Sequence, residues 1–171
     1  LNSRIQTEAE SKVEASHNTT EFKNDLNKTF AQLCLKYKRA KKIKHFFFKD
    51  IQTAKKFKSD GVHLKSFESN KIKRAKRAKL KCIISCHNKK EVRQAIINGS
   101  DYITYSPIFK SKGSSGHGVR ELKKLIIKYK QINFFALGGV VCDKQIRSLN
   151  NLTQTSNKHK LYGFGGIRYF L

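Results

Sequence analysis

The spacing of hydrophobic residues changes near residue 20. From there, apolar side chains recur every three to four residues, the period of one face of an α-helix: Phe22, Leu26, Phe30, Leu33 and Tyr37. This pattern predicts a helix to about residue 42, with Thr19 or Thr20 as its N-cap. Residues 1–20 show no clear period. We therefore divide the chain into a poorly defined segment, 1–20, and one domain, 21–171.

Beyond this helix, short apolar runs alternate with amphipathic segments. The runs predict strands over residues 43–48, 61–64, 80–86, 101–108, 132–137 and 161–164. The segments between them predict helices, and Gly99 is placed to end one of these as its C′ residue. Such alternation implies right-handed crossovers and a parallel sheet. We predict an α/β fold, a TIM-type parallel β/α barrel. Because complete barrels usually need about 200 residues or more, we expect it to be incomplete at the N-terminus.

The formal charge of +25 makes nucleic acid the first partner to consider. However, the excess is mostly lysine and is spread over nearly every predicted helix. Arginine, with its bidentate fork, is the usual reader of base edges. We therefore do not expect a dedicated nucleic-acid role, although a basic nucleic-acid binder remains as an alternative. The positive surface attracts anionic ligands in general.

Cysteine usage and hydropathy indicate the compartment. The four cysteines form no Cys-x-x-Cys pair, and Cys82 and Cys86 lie on an apolar strand, where a free thiol behaves as a small hydrophobe. No apolar run approaches the roughly 18 residues of a membrane span. The N-terminus is too polar for a secretory signal. These features predict a cytoplasmic protein with reduced thiols.

Two diglycine pairs follow the last two predicted strands, Gly138-Gly139 and Gly165-Gly166. Glycine lets backbone N–H groups approach a phosphate without a Cβ in the way. Loops after the final strands are also where β/α barrels commonly bind phosphate. We therefore predict an anion site here. The alternative for either pair is a tight turn.

Other polar residues lie at predicted strand ends. Ser85 and His87 are two apart on one strand and so share a face, which at the strand end is the barrel mouth; the alternative is a polar cap on the core. The loop 110–118 is cationic and rich in hydroxyls, as suits closure over an anionic substrate, or it is a solvated surface loop. Asp50 and Glu68 offer oxygen ligands for Mg²⁺, or serve as a surface acid and a helix cap.

Five short motifs occur in one order: Asp-Gly-Val-His-Leu at 60–64, Ser-x-His at 85–87, Gly-x-Asp-Tyr-Ile at 99–103, Pro-Ile-Phe at 107–109 and Leu-Gly-Gly-Val at 137–140. In order, spacing and identity the chain resembles the thiamine phosphate synthase/TenI family of β/α barrels over residues 22–171. The synthases join a Mg²⁺-bound hydroxymethylpyrimidine diphosphate to a thiazole phosphate and release pyrophosphate.

The resemblance implies roles for individual residues of this chain. Ser85 is expected near the pyrophosphate, and Ser111 with the adjacent Lys112 at the thiazole side; these are the candidate catalytic residues. The candidate residues for binding the phosphorylated substrate are His87, Gly138, Gly139, Gly165, Gly166, Ile167 and Arg168.

The chain departs from the family pattern at the metal site. The family's Asn-Asp-Asp reads here as Phe48-Lys49-Asp50, and its Gly-Gln-x-Asp reads as residues 65–68, which end in Glu68. Asp50 and Glu68 remain as the candidate Mg²⁺ ligands, with Lys49 where a carboxylate is expected. Residues 6–10 are only weakly similar to the family's basic Gln-Leu-Arg-x-Lys strand. The general-acid/base histidine of the TenI branch falls at Pro107, which cannot transfer a proton.

Two functions follow from the resemblance. The first is a thiamine phosphate synthase-like transferase. The second is a degenerate, non-catalytic TenI-like protein that binds a phosphorylated thiamine precursor or a partner protein. Because missing strands leave apolar edges that need cover, we also expect self-association of the chain.

Overall fold

The fold is that of a computed structural model, which describes residues 2–41, 45–111, 113–153 and 161–166, with side chains from residue 20 onward. The strands are β1 (Phe47–Phe48), β2 (Gly61–Leu64), β3 (Lys81–Cys86), β4 (Tyr102–Tyr105), β5 (Asn133–Leu137) and β6 (Gly163–Gly165). The helices are α1 (Asn2–Arg39), α2 (Ile51–Lys56), α3 (Ile72–Arg77), α4 (Lys89–Ile97), α5 (Gly118–Lys128) and α6 (Asp143–Thr153). A 3₁₀ segment, Ser66–Lys71, precedes α3.

The six strands form one parallel sheet in the order β1 to β6. This confirms the predicted α/β fold with its parallel connections. Strand and helix positions also agree with the predictions from β2 onward, apart from shifts of a few residues at the ends. Gly99 closes α4 with a φ of +83°, as a C′ glycine does. Of the predicted first strand, Ile43 and Lys44 lie outside the described residues.

The two faces of the curled sheet differ in what they bury. On the outer face, Val62, Ile84, Ile103 and Phe134 are almost inaccessible and pack in one core with the buried faces of the helices. Burying a side chain of this size contributes about 1.5–3 kcal/mol. On the inner face, rings from neighbouring strands meet, as where Tyr102 lies 6.0 Å from Phe135 between ring centroids.

The first helix differs from the prediction. Because α1 begins at Asn2, the N-cap predicted at Thr19 or Thr20 is wrong. Residues 6–10, which were compared with a strand of the family, are part of this helix. Residues 1–20 contain three Glu and two Ala, which are good helix formers, and neither Gly nor Pro. Helix propensity therefore accounts for the helix in this segment, where no periodic apolar face is present. Helix α1 continues through residue 20, the predicted boundary, without interruption.

The predicted apolar face of α1 is only partly used. Phe30 packs edge-on against Phe48, with ring centroids 5.6 Å apart, and against Phe46 at 6.5 Å. Ala31 and Cys34 are buried beside it. In contrast, Phe22, Leu26 and Leu33 are each more than half exposed. The helix therefore meets the sheet through one short stretch of its C-terminal half.

Asp60, between α2 and β2, fastens the end of α1 to the sheet. Its carboxylate accepts hydrogen bonds from Lys38 Nζ at 2.5 Å and from the backbone N–H of Phe46 at 3.1 Å. Burial alone would raise the pKa of Asp60, but these hydrogen bonds and the Lys38 charge outweigh it and lower the pKa. The ionised carboxylate is therefore part of the fold.

Among the described strands, β1 and β6 each pair on one side only. The described strands thus form part of a barrel, which agrees with the expectation of an incomplete one. All four cysteines are free, and three of them are buried. Among the described helices, none has both the length and the apolar character that a membrane span requires.

Candidate functional site

The carboxyl ends of the parallel strands meet at one rim of the sheet, where ligands bind in folds of this kind. Three polar side chains converge there on the inner face. His63 of β2 pairs through Nε2 with Ser85 Oγ of β3 at 3.0 Å, and Thr104 Oγ1 of β4 donates to the same oxygen at 3.2 Å. If His63 carries its proton on Nε2, Ser85 accepts from both neighbours, and its own O–H is free to donate to an anion.

The protonation of His63 is set by its surroundings. Burial lowers its pKa, and the positive charge of Lys49 lowers it further. His63 is therefore neutral at pH 7, since its ordinary pKa is already about 6.5. A neutral imidazole beside Ser85 orients the hydroxyl and adds no charge to the rim.

His87 does not join this cluster. It follows β3, where its Nδ1 lies 3.0 Å from the carbonyl oxygen of Ser106 and 3.2 Å from its hydroxyl. Its backbone N–H donates to Glu91 Oε2 at 2.7 Å. Ser85 and His87 are thus both at the rim, as their spacing predicts, but each has its own partners. The histidine that pairs with Ser85 is His63.

The first diglycine turn is packed against the loop that follows β4. Gly138 and Gly139 have φ values of +86° and +75°. A Cβ on Gly139 would lie 2.5 Å from the carbonyl oxygen of Phe109, and a Cβ on Gly138 would lie 2.9 Å from Pro107. Phe109 N also donates to Gly138 O at 3.1 Å. Glycine is needed here first because two stretches of backbone touch.

The second diglycine turn reaches the same place. A Cβ on Gly166 would lie 2.7 Å from Cβ of Val140, and one on Gly165 would lie 3.0 Å from Leu137. The two turns are therefore adjacent, which is what a shared phosphate site requires. Within the described residues no hydrogen bond uses the N–H of Gly139 or Val140, so these two donors are available to an anion. Ile167 and Arg168 lie outside the described residues.

The loop between β4 and α5 is more ordered than its composition suggests. Ser111 and Ser114 exchange two backbone hydrogen bonds, each 3.0 Å long, which close a tight turn. Lys112, the next residue of the chain after Ser111, lies outside the described residues. At the far end of the loop, His117 stacks on Tyr105 with ring centroids 4.6 Å apart. The loop is therefore held at both ends.

Glu121 of α5 completes this anchor. It accepts a hydrogen bond from Tyr105 Oη at 2.6 Å, and Lys89 Nζ lies 3.3 Å from its other oxygen. The Tyr105 hydrogen bond lowers the pKa of Glu121, and the pKa of Tyr105 is raised by burial and by the carboxylate.

Asp50 and Glu68 line one cavity of about 180 Å³ together with Lys49, Lys71 and Arg74. Asp50 is the N-cap of α2 and accepts from Thr53 N at 2.7 Å. Glu68 accepts from Lys71 Nζ at 2.6 Å and from Lys65 N at 3.0 Å. The hydrogen bond from Lys71, followed by the one from Lys65, lowers the pKa of Glu68. Both carboxylates thus already have protein donors.

This donor set does not fit a divalent cation. Mg²⁺ requires near-octahedral oxygen ligands, usually including one or two carboxylates, and the three cations of the cavity oppose it. No group of three or more His, Cys, Asp or Glu side chains in the described part of the chain could hold a metal. The Mg²⁺ site stays a prediction, and no step below depends on it.

Sequence reasoning missed His63 and Thr104 as site residues. The signal was available in the strand pairing: His63 pairs with Ile83, and Ser85 with Thr104. In a parallel sheet the side chains on one face recur every second residue, so the face of Ser85 also carries His63 and Thr104. Knowledge of the register would have identified all three.

Comparisons with known proteins agree with this geometry. Residues 13–155 match the model of the TMP-TENI family, described as thiamine monophosphate synthase. The chain is 32% identical over 151 residues to "Putative thiamine-phosphate synthase 2" of Aquifex aeolicus, covering 85% of this chain and 74% of the relative.

A solved structure shows the same fold. Thiamine phosphate pyrophosphorylase from Pyrococcus furiosus superposes with a TM-score of 0.64 at 23% identity. The match covers 84% of this chain and 64% of that chain, so this chain spans less than two thirds of that relative's length.

Proposed function

Because the chain belongs to the thiamine monophosphate synthase family, we propose that it acts in thiamine biosynthesis as a thiamine phosphate synthase-like transferase. The substrates would be a hydroxymethylpyrimidine diphosphate and a thiazole phosphate. The observation that carries the proposal is the convergence of Ser85, His63 and Thr104 at the rim that also bears the two diglycine turns.

The chemistry asks for positioning and charge stabilisation more than for proton transfer. The bond between the pyrimidine methylene carbon and the diphosphate oxygen breaks, and pyrophosphate leaves with the electron pair. A bond forms between that carbon and the thiazole nitrogen, which becomes positively charged. No proton moves in this step, so it needs no proton transfer between Ser85 and the neutral His63.

The residues of the rim suit the two anions. The Ser85 hydroxyl would donate to the departing pyrophosphate, and Lys49, whose charge reaches His63, would offset its developing charge. The N–H groups of Gly139 and Val140 would hold the thiazole phosphate. Ser111 and Lys112, in the loop after β4, would approach the thiazole. Fixing both substrates in one geometry lowers the entropic part of the barrier.

The test is product formation by the purified chain. Thiamine phosphate and pyrophosphate are measured after incubation with both precursors, in parallel with and without Mg²⁺. We expect Ser85→Ala to lower turnover about 10²-fold, as loss of one preorganised donor does. Ser148→Ala is the control, because this hydroxyl lies on α6, bonded to Gln145 O at 2.7 Å. Absence of product under both conditions refutes the transferase.

A specific departure favours the second candidate, a non-catalytic protein that binds a phosphorylated precursor. Lys49 stands where the family pattern has a carboxylate, and a point charge cannot bridge phosphate oxygens as a metal does. Calorimetry with the thiazole phosphate separates the two: binding without turnover supports this candidate. Self-association, a cytoplasmic location and the lack of a dedicated nucleic-acid role stay predictions.

A further inference from the structure

The cavity between the β1–α2 and β2–α3 connections carries more positive than negative charge. Its charged lining consists of three cations and two carboxylates: Lys49, Lys71, Arg74, Asp50 and Glu68. Its floor is apolar, formed by Ile51 and Leu64, which are 8% and 1% exposed. Such a floor excludes water from one side and strengthens electrostatic attraction at the other.

The two carboxylates are used within the protein, whereas the cations retain donors. Asp50 caps α2 and Glu68 binds Lys71 and the backbone of Lys65. Lys71 has two further N–H donors beyond the one that Glu68 accepts. No ion pair within the described residues engages Lys49 or Arg74. The groups available to a ligand are therefore mostly hydrogen-bond donors.

We propose that this cavity binds a diphosphate group directly through Lys49, Lys71 and Arg74, without a divalent cation. The identification of the ligand as the diphosphate of the pyrimidine precursor rests on the proposed function. Arg74 offers a planar fork that matches two phosphate oxygens, and the two lysines act as point charges around them. Lys49 supplies a positive charge at the position where the family pattern has a carboxylate.

A geometric link connects this cavity to the rim. Lys49, which directly follows β1, lines the cavity together with Leu64, the last residue of β2 and the chain neighbour of His63. His63 in turn contacts Ser85. A diphosphate held by Lys49 would thus lie at the same end of the parallel sheet as the Ser85 hydroxyl.

The test is calorimetric titration of the full chain with inorganic pyrophosphate at fixed ionic strength, once with excess EDTA and once with Mg²⁺. We expect binding in EDTA at least as tight as in Mg²⁺. Lys49→Ala and Arg74→Ala should each lower the affinity for pyrophosphate about tenfold. This is the lower end of what one hydrogen bond to a charged group contributes, as expected for exposed side chains.

Matched controls separate a site from general attraction to a basic protein. Lys73→Ala and Arg77→Ala remove one lysine and one arginine charge from α3, the helix that carries Arg74, and both residues lie outside the cavity lining. We expect each to change affinity less than twofold, as surface charges do once salt screens them. Equal weakening by Lys73→Ala and Lys49→Ala would overturn the proposal.

Lys49→Asp tests the exchange of a cation for a carboxylate. This variant should lose binding in EDTA and recover part of it when Mg²⁺ is added. Binding by the unmodified chain that requires Mg²⁺ overturns the inference, even if thiamine phosphate is formed. Binding in EDTA without product formation sustains the inference while the proposed transferase fails.

Discussion

The contact between the first diglycine turn and the loop after β4 can be tested by adding one methyl group. In Gly139→Ala the new Cβ would lie 2.5 Å from Phe109 O, 2.6 Å from Phe109 C and 2.8 Å from Lys110 O. All three are backbone atoms, which cannot rotate away as a side chain does. Either the Gly138-Gly139 turn or the loop must therefore move.

Gly99→Ala is a matched control for the backbone conformation. Gly99 has a φ of +83°, against +75° for Gly139, and a Cβ there would meet nothing within 4 Å. Both variants incur the left-handed cost of about 1–2 kcal/mol. Both also gain the same small amount from a less flexible unfolded chain. The difference between them isolates the steric contact.

Overpacking that forces a backbone shift costs about 1–3 kcal/mol. We therefore expect Gly139→Ala to lose about 1–3 kcal/mol more free energy of unfolding than Gly99→Ala. Urea denaturation followed by circular dichroism measures both, with the slope against urea checked for constancy. Equal losses in the two variants would show that the turn and the loop are not in contact, and the steric reasoning would be refuted.

Three further predictions concern two hydrogen bonds and one exposed thiol. Tyr105→Phe should lower the free energy of unfolding by about 1–2 kcal/mol in the same assay, because the carboxylate of Glu121 loses a 2.6 Å hydrogen bond; an unchanged value would contradict the anchor. Because folding lowers the pKa of Asp60, its carboxylate stabilises the folded chain at pH values above the ordinary aspartate pKa. This stabilisation is lost as the pH falls through the pKa that Asp60 has in the folded chain. In Asp60→Asn the free energy of unfolding should therefore depend less on pH below about pH 4. An unchanged pH dependence would refute this role of Asp60. Finally, a thiol reagent at pH 8 should modify Cys142 rapidly in the native chain, because Cys142 is the exposed cysteine; mass spectrometry showing fast modification of a buried cysteine would be the contrary result.

The parallel sheet could be predicted because most of its strands lie in short apolar runs that alternate with amphipathic helices. β3 is the clearest example, because its Cys82, Ile83, Ile84 and Cys86 are all buried. Burial raises the thiol pKa of Cys82 to about 11 and that of Cys86 to about 12, as fits core cysteines rather than reactive ones. A run buried on both faces leaves few alternatives to a central strand.

The first helix could not be bounded in the same way, because its residues lack a periodic apolar face before residue 20. Amphipathic spacing identifies a helix only where the helix is packed against something. Even the periodic half was misleading in part: Phe22 and Leu26 are 71% and 60% exposed, although they share the predicted apolar face. A period shows which side chains lie on one face, and the tertiary structure decides whether that face is covered.

The candidate site shows a related difference between local and non-local information. The diglycine turns were found because their signal is local: two adjacent glycines after an apolar run. His63, Ser85 and Thr104 come from three strands, and only the register joins them. The same holds for the cavity charges, since Lys49 and Arg74 are 25 positions apart in the chain. Family motifs locate such residues one by one, but whether Lys49 replaces a metal ligand depends on what Asp50 and Glu68 are already bonded to. Both carboxylates accept hydrogen bonds within the protein, from Thr53 N, Lys65 N and Lys71 Nζ. The groups of the cavity that remain for a ligand are therefore mainly hydrogen-bond donors, which favour an anion.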